Sequence, residues 1–202
     1  EGPRPMTPDV SIVVEWENSL HAGAQRADAA LARLAEEVHA SPRRIEVLVC
    51  HDEDTPPSVP LQPVGDAPAW KTVRVPDSRY YELKNHGAGE AAGAILVFLD
   101  SDAIPEPGWL EALLAPFSDP AIDVVAGQTY IQADSTYGKA FALWWFFPLR
   151  ARTEPIRPVR HFFANNVAFR RPTFLAHPFT PIQGTARGAC LGRALRALRG
   201  AL

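Results

Sequence analysis

The sequence predicts an α/β fold: a three-layer sandwich with a mostly parallel central sheet. Two observations carry that expectation. Short β-branched apolar runs alternate with segments of helical spacing, the order that builds a parallel sheet. The runs are also nearly continuous in apolar residues, as strands covered on both faces are. The 202 residues contain 20 Pro, so long unbroken helices should be few, and coiled coil and collagen are excluded.

The elements follow in order. Residues 1–9 hold three prolines and three charges and read as a flexible lead-in. Val10 to Val14 is the first strand, and Leu20, Ala24, Ala27, Leu31, Leu34 and Val38 then repeat as one helix that Ser41-Pro42 ends. Ile45 to Cys50 is the second strand, followed by His51-Asp52 and a Pro-rich loop, and Lys71 to Val75 a third. A short Gly/Ala helix around Ala88 to Ala92 precedes the clearest strand, Ala94 to Leu99, which ends in Asp100-Ser101-Asp102. Trp109 to Phe117 reads as a helix after a Pro-Gly entry, and Ile122 to Ala126 as a strand. Beyond lie an aromatic helix (Gly138 to Leu149), a Pro/Arg loop (Thr153 to Pro158), a strand near Asn166 to Phe169, and a last helix from about Ala186.

Composition excludes several function classes. Cys50 and Cys190 match no metal or disulfide spacing and read as buried thiols. The longest apolar run, Ala140 to Leu149, is half of a membrane span, and the start shows no signal-peptide pattern, so a soluble protein is expected. Charge is uneven: 22 Asp and Glu against 10 Lys and Arg before Arg150, then 10 Arg against Glu154 alone. The arginine-rich end could face phosphate, an anionic lipid surface or only solvent. Little else in the chain favours nucleic acid.

In a parallel sheet, acids that directly follow strands face the ligand crevice. Asp52 and the pair Asp100 and Asp102 hold such positions. Strand alternation would point the two carboxylates of Asp-Ser-Asp the same way, about 7 Å apart, suited to a hard divalent cation, Mn or Mg. The same three residues also suit a simple turn.

The stretch Tyr80-Tyr81-Glu82-Leu83-Lys84-Asn85-His86-Gly87, then Ala91-Ala92-Gly93, Val97-Phe98-Leu99-Asp100-Ser101-Asp102 and Pro105-x-Pro107-x-Trp109-Leu110, resembles glycosyltransferase family 2 in motif and spacing. Glu15-Trp16-Glu17-Asn18 takes the place of that family's Pro-x-Tyr-Asn, and Asn165-Asn166-Val167-Ala168-Phe169-Arg170-Arg171 resembles its Gly-x-Asn-x-Ala-x-Arg-Arg. The resemblance implies a GT-A fold, a UDP- or GDP-sugar donor, a divalent cation, and a glycan, lipid or protein acceptor. It implies one domain over residues 10–202, with a nucleotide-binding part (10–127) and an acceptor-side part (128–202) belonging to a longer chain. It places the protein in the cytoplasm, with the inner face of the membrane as an open alternative.

Carried over by position, Asp52 would meet the nucleobase and Lys84 the base or phosphate, beside Asn85. Asp100 with Ser101 would hold the ribose, and Asp102, with Asp100, the metal. Glu15 and Trp16 could flank the nucleobase, although core closure suits Trp16. The family's later acidic motif is absent: its place before Leu191 reads Arg187-Gly188. A general base would then be Glu154, His161 or Asp134, and a degenerate sugar-nucleotide-binding domain is the alternative function. His51 is expected as a solvated loop residue. Trp144, Trp145, Phe146 and Phe147 are expected in the core, with an acceptor platform or membrane contact as alternatives; Asn165 and Asn166 could bind sugar or make a turn. An Asp-x-Asp phosphatase lacks any Asp after Asp134, and Gly87-x-Gly89 lacks the third glycine of a dinucleotide loop.

Overall fold

A computed structural model describes residues 7–52, 69–144, 147–151, 156–159 and 162–180. The first strand, β1 (Val10–Glu15), is buried along its whole length and is followed by α1 (Ser19–Ala22) and α2 (Ala24–Ala40). Then come β2 (Ile45–His51), β3 (Ala69–Arg74), α3 (Tyr80–Glu90) and β4 (Ile95–Asp100). The second half holds α4 (Trp109–Leu114), which runs on as a 3-10 turn over Ala115–Ser118, then β5 (Val124–Ala126) and α5 (Thr136–Trp144). It ends in β6 (Asn166–Arg170) and α6 (Arg171–Ala176).

The strands form one six-stranded sheet in the order β3-β2-β1-β4-β6-β5. Strands β1 to β4 pair in parallel, while β6 is antiparallel to both β4 and β5. The mostly parallel sandwich expected from the sequence is therefore present. On one face Ala27, Leu31 and Leu34 of α2 and Leu110 and Leu114 of α4 cover Ile12, Val14 and Val97. On the other, Leu83 and Ala88 of α3 and Phe174 of α6 cover Val13, Leu48 and Phe98. Each such aliphatic or aromatic side chain contributes roughly 1.5–3 kcal/mol on burial.

Several expectations are corrected. The single helix from Leu20 to Val38 is two, because Gly23 adopts φ +87°, a left-handed conformation that breaks the helix between Ala22 and Ala24. The short helix at Ala88 to Ala92 is the end of the longer α3, which begins at Tyr80. Gly87 and Gly89 hide that helix from a propensity reading, but Gly87 is where α3 meets the sheet. A Cβ there would stand 2.5 Å from Val13 Cγ1 and 2.6 Å from Cys50 Sγ. The strand begun at Ile122 starts at Val124.

His51 is the buried last residue of β2, not a solvated loop histidine. The aromatic helix spans Thr136–Trp144 rather than Gly138 to Leu149, and Trp144 is 71% exposed, so the core reading fails for it. Phe147 is half-buried against the ring of Phe163, while Trp145 and Phe146 lie outside the described residues, as does the helix expected from Ala186. Cys50 is a buried free thiol whose acidity burial suppresses, pushing it up to about 12; Cys190 is outside the described residues. Among the described residues no helix is long and apolar enough to cross a membrane. Asp9, at the end of the lead-in, pairs with Arg44.

Gly87 and Gly89 make an internal comparison. Gly87→Val must displace Val13 and Cys50 and should cost about 1–3 kcal/mol of stability. At Gly89 nothing lies within 4 Å of an added Cβ, so Gly89→Ala should raise stability by up to about 1 kcal/mol. Urea unfolding midpoints of the two variants, moving in opposite directions, check the packing of α3.

Candidate functional site

The chain runs outward from β1 to β2 to β3, then returns to place β4 on the other side of β1. This reversal leaves a crevice at the carboxyl ends of β1 and β4, where ligands bind in open parallel sheets. Glu15 and Asp100 are register partners there, and Glu15 also pairs in register with Cys50 of β2. Since neighbouring positions in a parallel register share a face, both acids point toward α3.

Helix α3 answers with Lys84. Its side chain is fully buried; Nζ donates to Asp100 Oδ1 at 2.6 Å and to the carbonyl of Ala164 at 2.7 Å. The ammonium also lies 4.4 Å from the centre of the Tyr80 ring. Tyr80 donates its hydroxyl to Asp100 Oδ1 at 2.7 Å, and Asn18 donates Nδ2 to Asp100 Oδ2 at 2.9 Å. Burial, together with the charge of Asp100, pushes the Tyr80 hydroxyl well above the usual tyrosine range. Asp100 is thereby fixed by three donors from two segments, α3 and the loop after β1. The loop after β1 is tied to the same cluster, with Glu17 Oε2 accepting the Tyr80 N–H at 2.6 Å and Glu15 Oε2 the Asn18 N–H at 3.2 Å.

Asp102 does not continue the strand. The chain turns at Ser101, with the Ala103 N–H donating to the Asp100 carbonyl, so the alternation expected to align the two carboxylates stops at Asp100. Asp102 is half-buried, and burial first, then the charge of Asp100, raises its carboxyl above the usual range. Arg26 of α2 opposes that shift and donates Nε to the Asp102 carbonyl at 2.8 Å. Among the described residues, two buried polar atoms at this end of the sheet, Glu15 Oε1 and Ser101 Oγ, find no hydrogen-bond partner. Glu15 is held up to about 8, chiefly by burial and then by Asp100.

An all-oxygen donor set beside a carboxyl short of compensating charge suits a hard divalent cation. Among the described residues no group of three or more His, Cys, Asp and Glu could hold a metal, so Asp102 and Asp100 alone would not complete a coordination sphere. Among the described residues the Asp102 carboxylate has no side-chain donor of the kind that occupies Asp100.

Other predicted residues occupy different places. Asp52 lies at the same end of the sheet, where its Oδ1 accepts the Asp77 N–H at 2.6 Å. Asn85 faces away and clamps the backbone of Phe179 through both its amide atoms. Asn166 is buried: its Oδ1 accepts from Trp109 Nε1, its Nδ2 donates to the Gln128 carbonyl, and Gly127 leaves room for it. Trp16 closes the core. Asn165 Oδ1 accepts from the Thr129 hydroxyl. Asp134 is exposed just before α5, and Glu154 and His161 lie outside the described residues. Sequence reasoning missed Asn18, Tyr80 and Arg26. The first two stood inside quoted motifs, whereas Arg26 carried only one signal, a cation in the first turn of a helix.

The site has two measurable consequences. Because the folded value of Glu15 lies above the ordinary 4.5, the folded chain holds a proton that the unfolded chain has lost between those values. Stability should therefore fall as pH rises from about 5 to 8, by up to ~1.4 kcal/mol per pH unit for this one group. Asp102 shifts in the same sense, so Glu15→Gln should flatten the decline without abolishing it in chemical unfolding at each pH. Lys84→Met should strand Asp100 beside Glu15 and cost about 3–5 kcal/mol, read by thermal unfolding, with Asp100→Asn restoring part of the loss.

The family model described as Glycosyl transferase family 2 matches residues 21–177. The pre-mycofactocin glycosyltransferase of Mycobacterium tuberculosis is 32% identical over 77 residues, 37% of this chain and 16% of that relative. The mannosyltransferase PcManGT of Pyrobaculum calidifontis, solved with GDP-Man and Mn2+, is similar at TM-score 0.56 and 18% identity. The likeness covers 87% of this chain and 48% of that one, so the chain spans about half of its length. Glucosyl-3-phosphoglycerate synthase of Mycobacterium tuberculosis, solved with Mn2+, UDP and glucosyl-3-phosphoglycerate, gives TM-score 0.56 and 17% identity over 96% of this chain and 66% of that one. At these identities the solved structures establish the fold, a GT-A arrangement.

Proposed function

Because the chain belongs to glycosyl transferase family 2, we propose that it moves a sugar from a nucleotide-diphospho-sugar, UDP- or GDP-linked, to a glycan, lipid or protein acceptor. The observation that carries this reading is the pair Asp100 and Asp102 at the end of β4, in the crevice where the sheet reverses. Asp100, immobilised by Lys84, Tyr80 and Asn18, offers a fixed acceptor for ribose hydroxyls. Asp52, on the far side of Glu15 at the same sheet end, would meet the nucleobase.

Asp102, with Asp100 beside it, would hold the divalent cation, Mn or Mg. When bound, such a cation offsets the charge that builds on the departing diphosphate. Lys84 acts from beneath the site, through Asp100, because its ammonium is buried and engaged. Peripheral membrane contact draws support from α5, where Tyr137 is 81% exposed, with Arg150 nearby in sequence and also exposed; that contact would put the protein at the inner face of the membrane. A binding-only role is the second reading, favoured by Arg187-Gly188 where the family has its acidic motif.

Calorimetric titration of UDP and GDP, with and without Mn, tests the site. Binding should require the metal and weaken at least about tenfold in Asp102→Asn, the loss of one charged ligand. Binding indifferent to both metal and substitution sinks the assignment, and tight binding without donor hydrolysis or transfer selects the binding-only role.

A further inference from the structure

Arg26 stands in the first turn of α2, three residues after the Gly23 break, with its side chain exposed. Its Nε is committed to the Asp102 carbonyl at 2.8 Å, which fixes the guanidinium to the turn that carries the acid. Other arginines near this half of the molecule are neutralised by carboxylates: Arg33 by Glu36 and Glu37, Arg43 by Glu111, Arg44 by Asp9. Arg26 makes no ion pair within the described residues. It also sits at the positive end of the α2 dipole, a position that disfavours a cation, and the first turn of α2 holds no acidic residue to offset it. A guanidinium so placed has four N–H donors left on Nη1 and Nη2, in a planar fork whose direction the Nε bond sets.

We propose that Arg26 is a diphosphate-binding residue, its two Nη groups taking phosphoryl oxygens of the nucleotide donor beside Asp102. The proposal rests on the reading of this crevice as a sugar-nucleotide site and adds to it a protein cation for the phosphates. The chemistry favours a diphosphate over a single carboxylate. Glu15, Asp100 and Asp102 cluster against the one ammonium of Lys84, so an anion enters only where fixed positive charge meets it. A two-phosphate group can span from a cation at the Asp102 carboxylate to the guanidinium on its carbonyl side, and Arg holds phosphate by two parallel bonds. The helix N-terminus behind Arg26 adds its partial positive charge to the same spot.

The test compares diphosphates with monophosphates on the full chain. UDP, GDP, UMP and GMP are titrated in the presence of Mn into wild type, Arg26→Gln and Arg26→Lys, with melting temperatures recorded to show that the exposed substitutions leave the fold intact. Arg26→Gln should weaken the diphosphates about tenfold or more, the loss of charge-assisted bonds, while the monophosphates change less than about twofold. Arg26→Lys should fall between, because it keeps the charge and loses the fork. Equal weakening of mono- and diphosphates, or diphosphate binding unchanged in Arg26→Gln, overturns the assignment of Arg26 and leaves the wider site standing. Wild type that binds none of the four nucleotides overturns the sugar-nucleotide reading, and Arg26 with it.

Discussion

The buried ammonium of Lys84 is the contact on which the crevice depends. Strands β1 and β4 bring Glu15 and Asp100 to the same height on the same face, and two adjacent carboxylates in a low-dielectric place repel each other strongly. Lys84 reaches up from α3 to Asp100 and leaves Glu15 without a hydrogen bond from it. Asp100 is thus fixed in place, and burial, then the charge of Asp100, pushes Glu15 toward its protonated form. The same ammonium grips the Ala164 carbonyl, just ahead of β6, so α3, the end of β4 and the approach to the antiparallel strand β6 meet at one nitrogen.

The close approach of α3 follows from glycine. Lys84 can lie flat between helix and sheet only if the helix axis comes near, and Gly87, one turn further on, provides the contact with Val13 and Cys50. A residue that weakens the helix by propensity therefore positions the charge that organises the site. Gly93 serves the next turn similarly, since a Cβ there would stand 2.5 Å from the Ser11 nitrogen. Local preference yields to packing at both positions.

Much of this was legible in the residues. The nearly continuous apolar runs of β1, β2 and β4 announced a covered parallel sheet, and the acids after them marked the end where its ligands are expected. What could not be read depended on partners distant in sequence. Lys84 looked like a ligand-facing cation, but the fold brings it beneath Asp100, 16 positions further along the chain. Asn85 and Asn166 looked available because amide side chains suit sugars equally well, yet one clamps Phe179 and the other joins Trp109 to Gln128. Trp144 was expected inside because aromatic residues usually are, and no periodicity in its neighbours told which side of α5 would meet the body of the protein.

The buried carboxylates separate structural from functional acids by what they are given. Glu46 accepts from the Ser11 hydroxyl, the Ala92 N–H and Lys71, and those donors bring its carboxyl below the ordinary range despite burial. Glu37 accepts the Gly108 and Leu110 N–H groups at the start of α4 and an ion pair from Arg33. Both acids are saturated, which is the condition under which burying a charge is tolerable. Glu15, as deeply buried, receives a single backbone donor and has one oxygen unmatched, two residues from the crevice turn's anchor at Glu17. A fold that satisfies Glu37 and Glu46 so fully has the means to satisfy a third acid. It leaves the third one short at the strand ends where the sheet reverses, the end of the sheet that the proposed donor site occupies.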